Sequence, residues 1–153
     1  MGHIKRLGHI LLYVRDVEAS LAWYKDILGL EVVVADEDFD AVFLSFGHND
    51  HDIGLLPLPA GREPAQGSFQ HLAFEFDGSL EDLKAFYQRL KDAGAEVTGT
   101  FDHGVSYGIY FLDPNGHKFE VFLTRTPKQA DQVEAFRKFG IMAERVDLDN
   151  VEA

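Results

Sequence analysis

The chain has 153 residues, no cysteine, 14 Lys and Arg against 26 Asp and Glu, and a formal net charge of −12. Hydrophobic residues make up 46%, which argues for a packed core and against disorder, and the length suits one domain or two small repeated halves. The acidic balance disfavours nucleic acid and anionic membranes as partners, and the lack of cysteine excludes a disulfide scaffold, thiolate zinc sites and a cysteine nucleophile. No apolar run approaches the ~20 residues that cross a bilayer and no secretory hydrophobic segment opens the chain, so the expected location is the cytoplasm.

In chain order, residues 9–14 read as a strand. Asp16 then offers an N-cap to a helix whose apolar positions are Val17, Leu21, Tyr24 and Leu28, and Gly29 ends it. Residues 30–34 begin a second strand. Residues 41–46 and 52–58 follow as two more, around the polar turn Gly47-His48-Asn49-Asp50. The stretch 59–67, rich in Pro and Gly, is a linker.

The second half repeats this order. Residues 71–76 are a strand, and Ser79 caps a helix with Asp82 in a capping-box position. Leu80, Leu83, Phe86, Tyr87 and Leu90 form its apolar stripe, Gly94 ends it, and 95–98 resume extended structure. Residues 107–112 and 118–123 then flank Asp113-Pro114-Asn115-Gly116. The expected fold class is therefore α+β, with two tandem βαβββ modules at about 7–60 and 68–125. Each module is too small to bury its own sheet well, so residues 1–126 are expected to form a single domain. Residues 127–153 lie outside the repeat as a C-terminal helical extension. Within it, 129–139 are predicted to be a helix with Val133, Phe136 and Ile141 turned inward, either for packing or dimer formation or as a lid over a cleft, and the chain end is acidic.

Of the seven histidines, His9 and His71 stand out because they open the first strand of each half. A lone strand histidine is ordinarily a core or surface residue, but a pseudo-twofold pairing of the halves would bring these two together. Two neutral imidazoles and a carboxylate make a divalent-metal site with open positions. Glu120 supplies the carboxylate. Pro114-Asn115-Gly116 fits a three-residue hairpin loop, a type I turn followed by a left-handed Gly. That register sets Asp113 opposite His117 and Tyr110 opposite Glu120, with Cβ atoms about 4.5–5.5 Å apart. Phe119, Val121 and Leu123 then point to the other face, against the helices. A charge on such a strand costs several kcal/mol unless it is paired or binds a metal. The alternative for Glu120 is an ion pair with Lys or Arg, and His117 reads as a solvated turn residue.

The two-module pattern with His9, His71 and Glu120 resembles the vicinal oxygen chelate superfamily, over about residues 7–125. This superfamily includes extradiol dioxygenases, glyoxalase I, epimerases, and fosfomycin and bleomycin resistance proteins. The resemblance implies a half-open barrel of the two modules around one metal held by His9, His71 and Glu120. The order His103, Ile109-Tyr110, Asp113-Pro114-Asn115-Gly116, Glu120 resembles that of one-domain extradiol ring-cleavage dioxygenases, with Asp102 departing from the small or apolar residue usual there. Asp50-His51-Asp52-Ile53 resembles the segment that carries a catalytic histidine in catechol dioxygenases, although His48 is equally available by position. The last strand of the first module lacks the fourth ligand of glyoxalase I and the epimerases.

The resemblance thus implies Fe(II), with Mn(II) second, a catechol-type substrate, O2, and catalytic roles for His51, His103 and Tyr110. Its alternatives are a fosfomycin-type thiol transferase, a glyoxalase-like metal enzyme, or an aromatic-ligand binding and resistance protein. Exposed sheet edges in so small a chain also lead us to expect a homo-oligomer.

Overall fold

The structure is a computed structural model and describes residues 7–36, 38, 40–63, 69–125, 129–139 and 143–152. The chain divides into two compact units, Met1–Gln66 and Gly67–Ala153. The first contains β1 (Ile10–Val14), α1 (Val17–Leu28), β2 (Glu31–Asp36), β3 (Ala41–Ser45) and β4 (Ile53–Pro57), in the sheet order β1-β4-β3-β2. The second contains β5 (Leu72–Glu75), α2 (Leu80–Asp92), β6 (Val97–Asp102), β7 (Ser106–Leu112), β8 (Lys118–Thr124), α3 (Gln129–Phe139) and β9 (Glu144–Arg145), with the order β5-β8-β7-β6-β9. The two βαβββ modules expected from the sequence are both present, and they share a topology: the first strand of each lies parallel to the last.

Local chemistry sets the helix boundaries. The Asp16 carboxylate accepts from the Ala19 N–H at 2.8 Å, and Gly29 closes α1 at φ 73°. Ser79 and Asp82 form a reciprocal capping box at the start of α2. Each helix covers one face of its sheet. In the first unit Leu12, Val14, Leu44, Ile53 and Leu55 are buried together with Tyr24 and Ile27 of α1. In the second, Ile109, Phe111, Phe119 and Val121 are buried, and Phe86 of α2 meets Phe111 edge-on at 6.0 Å. Strand alternation therefore leaves Gly108, Tyr110 and Glu120 on the face away from α2.

The hairpin between β7 and β8 has the expected register, with Tyr110 opposite Glu120. Gly116 takes φ 88°, and its N–H donates to Asp113 O at 3.0 Å. His117 departs from expectation: it is buried, 2% exposed, not solvated. The Asp113 carboxylate explains this, because it accepts from the His117 N–H (2.7 Å), the His117 Nδ1 (2.8 Å) and the Asn115 N–H (2.9 Å). The imidazole, so satisfied, stacks near Phe69 and Phe119.

The predicted helix 129–139 is present as α3, but Val133 and Phe136 do not turn into a core: they are 46% and 55% exposed. Ile141 lies outside the described residues. Beyond α3 the chain returns as β9, which pairs antiparallel with β6, and buries Leu148 in a short 3-10 turn, Leu148–Asn150. Among the described residues no helix is long and apolar enough to cross a membrane.

The Asp113 carboxylate carries the turn, so Asp113→Ala should lower stability by about 2 kcal/mol, roughly 4–8 °C in the midpoint of thermal unfolding. His117→Ala should cost less, because it leaves no buried imidazole without a partner; circular dichroism melts of the two variants test the order.

Candidate metal centre and active site

Four of the six residues singled out from the sequence meet on the open face of the second sheet. Glu120 lies on β8 and is buried, 7% exposed. Tyr110 lies directly across from it on β7. Because β5 runs parallel to β8 with Ala73 beside Glu120, His71, two residues ahead of Ala73, falls on the same face. The His71 Nε2 is 3.0 Å from Glu120 Oε2, and the His103 Nε2, from the turn joining β6 to β7, is 3.6 Å from Oε1. The Tyr110 hydroxyl stands 3.1 Å from the same His103 nitrogen. Among the described residues the ion-pair partners of Glu120 are these two histidines, not a Lys or Arg. Lys118 instead sits with its Nζ 5.2 Å from the Tyr110 ring centre.

Gly108 makes the room for this cluster. A Cβ there would lie 2.6 Å from Glu120 Oε1 and 3.3 Å from His103 Nε2. Sequence reasoning passed over this position; its signal was a glycine in the middle of an apolar strand, a common mark of close approach.

The His71 Nδ1 contacts the Gln70 side-chain oxygen, and its other ring nitrogen faces the Glu120 carboxylate at 3.0 Å. A metal-ligating histidine ordinarily has its far ring nitrogen against an oxygen in this way. Imidazole and carboxylate donors fit divalent iron or manganese. Burial, then the charge of Glu120 and a hydrogen bond to it, pushes the Tyr110 phenol well above its ordinary value, so Tyr110 remains a proton donor.

Asp102, the departure from the family pattern, finds a structural reason. One of its oxygens accepts from the Gly104 N–H at 2.6 Å and the other pairs with Arg125, whose guanidinium lies 3.8 Å from the Tyr107 ring centre. With His103 N–H donating to Ser106 O (2.9 Å) and Arg125 N–H to Val105 O (2.9 Å), this pair ties down the turn that presents His103.

In the first unit the His9 and His51 rings lie 4.2 Å apart between centres, tilted by 33°, with Phe43 edge-on to His51 at 5.4 Å. His48, the alternative by position, is exposed. Asp50 accepts from the His51 Nδ1 at 3.0 Å, and that hydrogen bond holds the Asp50 carboxyl below its usual range. Asp52, which sequence reasoning also missed, folds the loop. It takes hydrogen bonds from Ser45 Oγ (3.0 Å), the Phe46 N–H (2.9 Å) and Asn49 Nδ2. Burial raises the Asp52 pKa, but these donors outweigh it and the net shift is downward. Among the described residues no three His, Asp or Glu side chains are gathered in a metal-holding group.

The His71, His103, Tyr110 and Glu120 cluster opens into a cavity of about 750 Å³ within the second unit. Val105, Phe122 and residues of α3 also line it.

Residues 6–121 match the Glyoxalase/Bleomycin resistance protein/Dioxygenase superfamily. The chain belongs to this superfamily. It is 34% identical over 131 residues to biphenyl-2,3-diol 1,2-dioxygenase 3 of Rhodococcus globerulus, covering 82% of this chain and 67% of that protein. It is 31% identical over 125 residues to the metallothiol transferase FosB of Staphylococcus saprophyticus, covering 77% of this chain and 76% of that one. In fold it is similar to the fosfomycin resistance protein FosX of Listeria monocytogenes, solved with Mn(II) and sulfate, with a TM-score of 0.69 at 21% identity over 88% of this chain and 99% of that one. Relatives of this chain thus include both a dioxygenase and a metallothiol transferase, and a FosX solved with Mn(II) has a similar fold.

Gly108→Ala should keep the fold but displace the Glu120 carboxylate, lowering metal affinity by at least tenfold; equilibrium dialysis against Fe(II) or Mn(II) measures it. The depressed Asp52 pKa has a definite sign. Its contribution to stability is fully present above the unfolded value near 3.8 and is lost as pH falls through the lower folded value. Asp52→Asn should therefore lower the melting temperature at pH 7, with the difference from wild type shrinking below about pH 4.

Proposed function

We propose that the protein is an extradiol dioxygenase, opening an aromatic ring next to two vicinal hydroxyls with O2. The observation that carries the reading is the buried Glu120 carboxylate between two imidazoles, with the Tyr110 phenol against it, in the lining of a cavity whose exposed surface is mainly apolar. The relation to a biphenyl-diol dioxygenase supports it. The residues proposed to hold the metal are His71 and Glu120, joined by His9, which heads β1 as His71 heads β5. Fe(II), with Mn(II) second, supplies Lewis acidity toward the two substrate oxygens and a route for electrons from ring to O2.

The chain's own groups do the rest. Tyr110, kept as a donor, hydrogen-bonds the substrate oxygen that has lost its proton. His103 Nε2 accepts from the second hydroxyl and holds the ring in place. His51 acts as general acid, passing a proton to oxygen as O2 is reduced. The apolar wall formed by Val105 and Phe122 keeps water from the reacting ring. The ring is oxidised, the carbon–carbon bond beside the diol breaks, and both atoms of O2 end in the product. In this reading the two modules act as one domain in a cytoplasmic homo-oligomer.

The competing reading, a metal-dependent thiol transferase, is supported by the FosB relative. It needs a basic pocket for a phosphonate, whereas the described residues lining the cavity include one Arg and no Lys.

The test is aerobic assay of Fe(II)-loaded protein with catechol and 2,3-dihydroxybiphenyl, whose ring-opened products are yellow. His9→Ala, His71→Ala and Glu120→Ala should each lose bound metal and activity together, read by elemental analysis and absorbance. His51→Ala should retain the metal and lose roughly 10²–10⁴ in turnover. Normal turnover by the His51 variant would remove that residue from the mechanism.

A further inference from the structure

The cavity is larger than the proposed chemistry needs. Its volume of about 750 Å³ is in the range of sites for drug-sized ligands, and a bare catechol would fill a small part of it. The proposed reacting groups share its lining with four residues of α3: Gln132, Val133, Phe136 and Arg137. Their spacing puts them on one helical face. Val133 and Phe136 present apolar surface to the cavity while remaining 46% and 55% exposed. Uncovered apolar side chains of this size gain by taking an apolar ligand against them.

Arg137 is the unusual member. It is an exposed cation bordering the cavity in a chain with 26 acidic residues, and no Asp or Glu pairs with it among the described residues. A guanidinium facing a ligand cavity presents a planar fork of donors matched to a carboxylate. Its place in the last turn of α3 also suits the helix dipole, but that role would not require it to border the cavity.

From this juxtaposition we infer that α3 forms a wall of the substrate site and that Arg137 binds a carboxylate on the substrate's side arm. The preferred substrate is then a vicinal aromatic diol whose apolar substituent ends in an acid. This substrate class rests on the ring-cleavage reading; the anion-binding role of Arg137 does not.

The experiment compares 3-(2,3-dihydroxyphenyl)propionate with its neutral methyl ester. Dissociation constants are measured by calorimetry on the full chain, metal-free and loaded anaerobically with Fe(II), and ring opening is then followed in air. The wild type should bind the acid about tenfold or more tightly than the ester, the range expected for a charge-assisted hydrogen bond. Arg137→Ala should bring that ratio close to one and Arg137→Lys should keep part of it. Glu134→Ala, which does not line the cavity, should leave the ratio as in wild type.

A wild-type ratio near one would overturn the inference. So would a high ratio that survives Arg137→Ala, since the anion would then bind elsewhere. If the acid is preferred through Arg137 but neither compound nor catechol is opened, the carboxylate site stands and the dioxygenase reading falls.

Discussion

The structure turns on a carboxylate in an apolar strand that, among the described residues, has no Lys or Arg paired with it. Glu120 is almost wholly removed from water, and its neighbours are two imidazoles and a phenol. Burying a carboxylate without compensation costs several kcal/mol, and a neutral imidazole compensates poorly unless something positive is shared between them. The surroundings keep that demand in place. Gly108 leaves space against the carboxylate, and the Gln70 side-chain oxygen contacts the far nitrogen of His71.

The repeated topology explains how residues distant in sequence meet at this point. Closing the first strand of a module parallel to its last one places the residue just ahead of the first strand level with the start of the last strand. That is why His71 reaches Glu120. The same closure in the first unit sets Ile10 beside Ile53 and brings His9 to His51 in the loop just before β4. One architectural rule, used twice, yields a histidine poised at the same end of each sheet. The loops then specialise: an Asp52-centred hydrogen-bond web presents His51, and an Asp102–Arg125 pair steadies the turn carrying His103.

Much of this was legible in the residues because it depends on local rules. Capping at Asp16 and Ser79, the left-handed Gly29 and the hairpin register that pairs Tyr110 with Glu120 follow from short-range chemistry and strand periodicity. What escaped depends on contacts that alternation does not encode. His117 looks like a turn residue, yet one carboxylate that satisfies three donors lets it be buried. Val133 and Phe136 have core-like spacing, but that spacing fits a cavity wall equally well, and only the coordinates tell the two apart. The pairing of β9 with β6 joins segments with no mutual signal in the sequence.

The division between ligand set and wall also bears on how one family supports different chemistries. Imidazole and carboxylate donors bring a metal and two chelating oxygens together without specifying whether they belong to a diol or a phosphonate. Discrimination must come from whatever surrounds the rest of the ligand. A phosphonate dianion held in an apolar chamber would lose more hydration than one guanidinium returns, whereas an aromatic ring gains from every apolar side chain it covers. In this chain Val105 and Phe122 come from the repeated scaffold, but Val133, Phe136 and Arg137 come from the extension outside it. In the proposed reading, substrate choice can therefore change with the tail while the proposed metal-binding residues and the strands that carry them stay as they are.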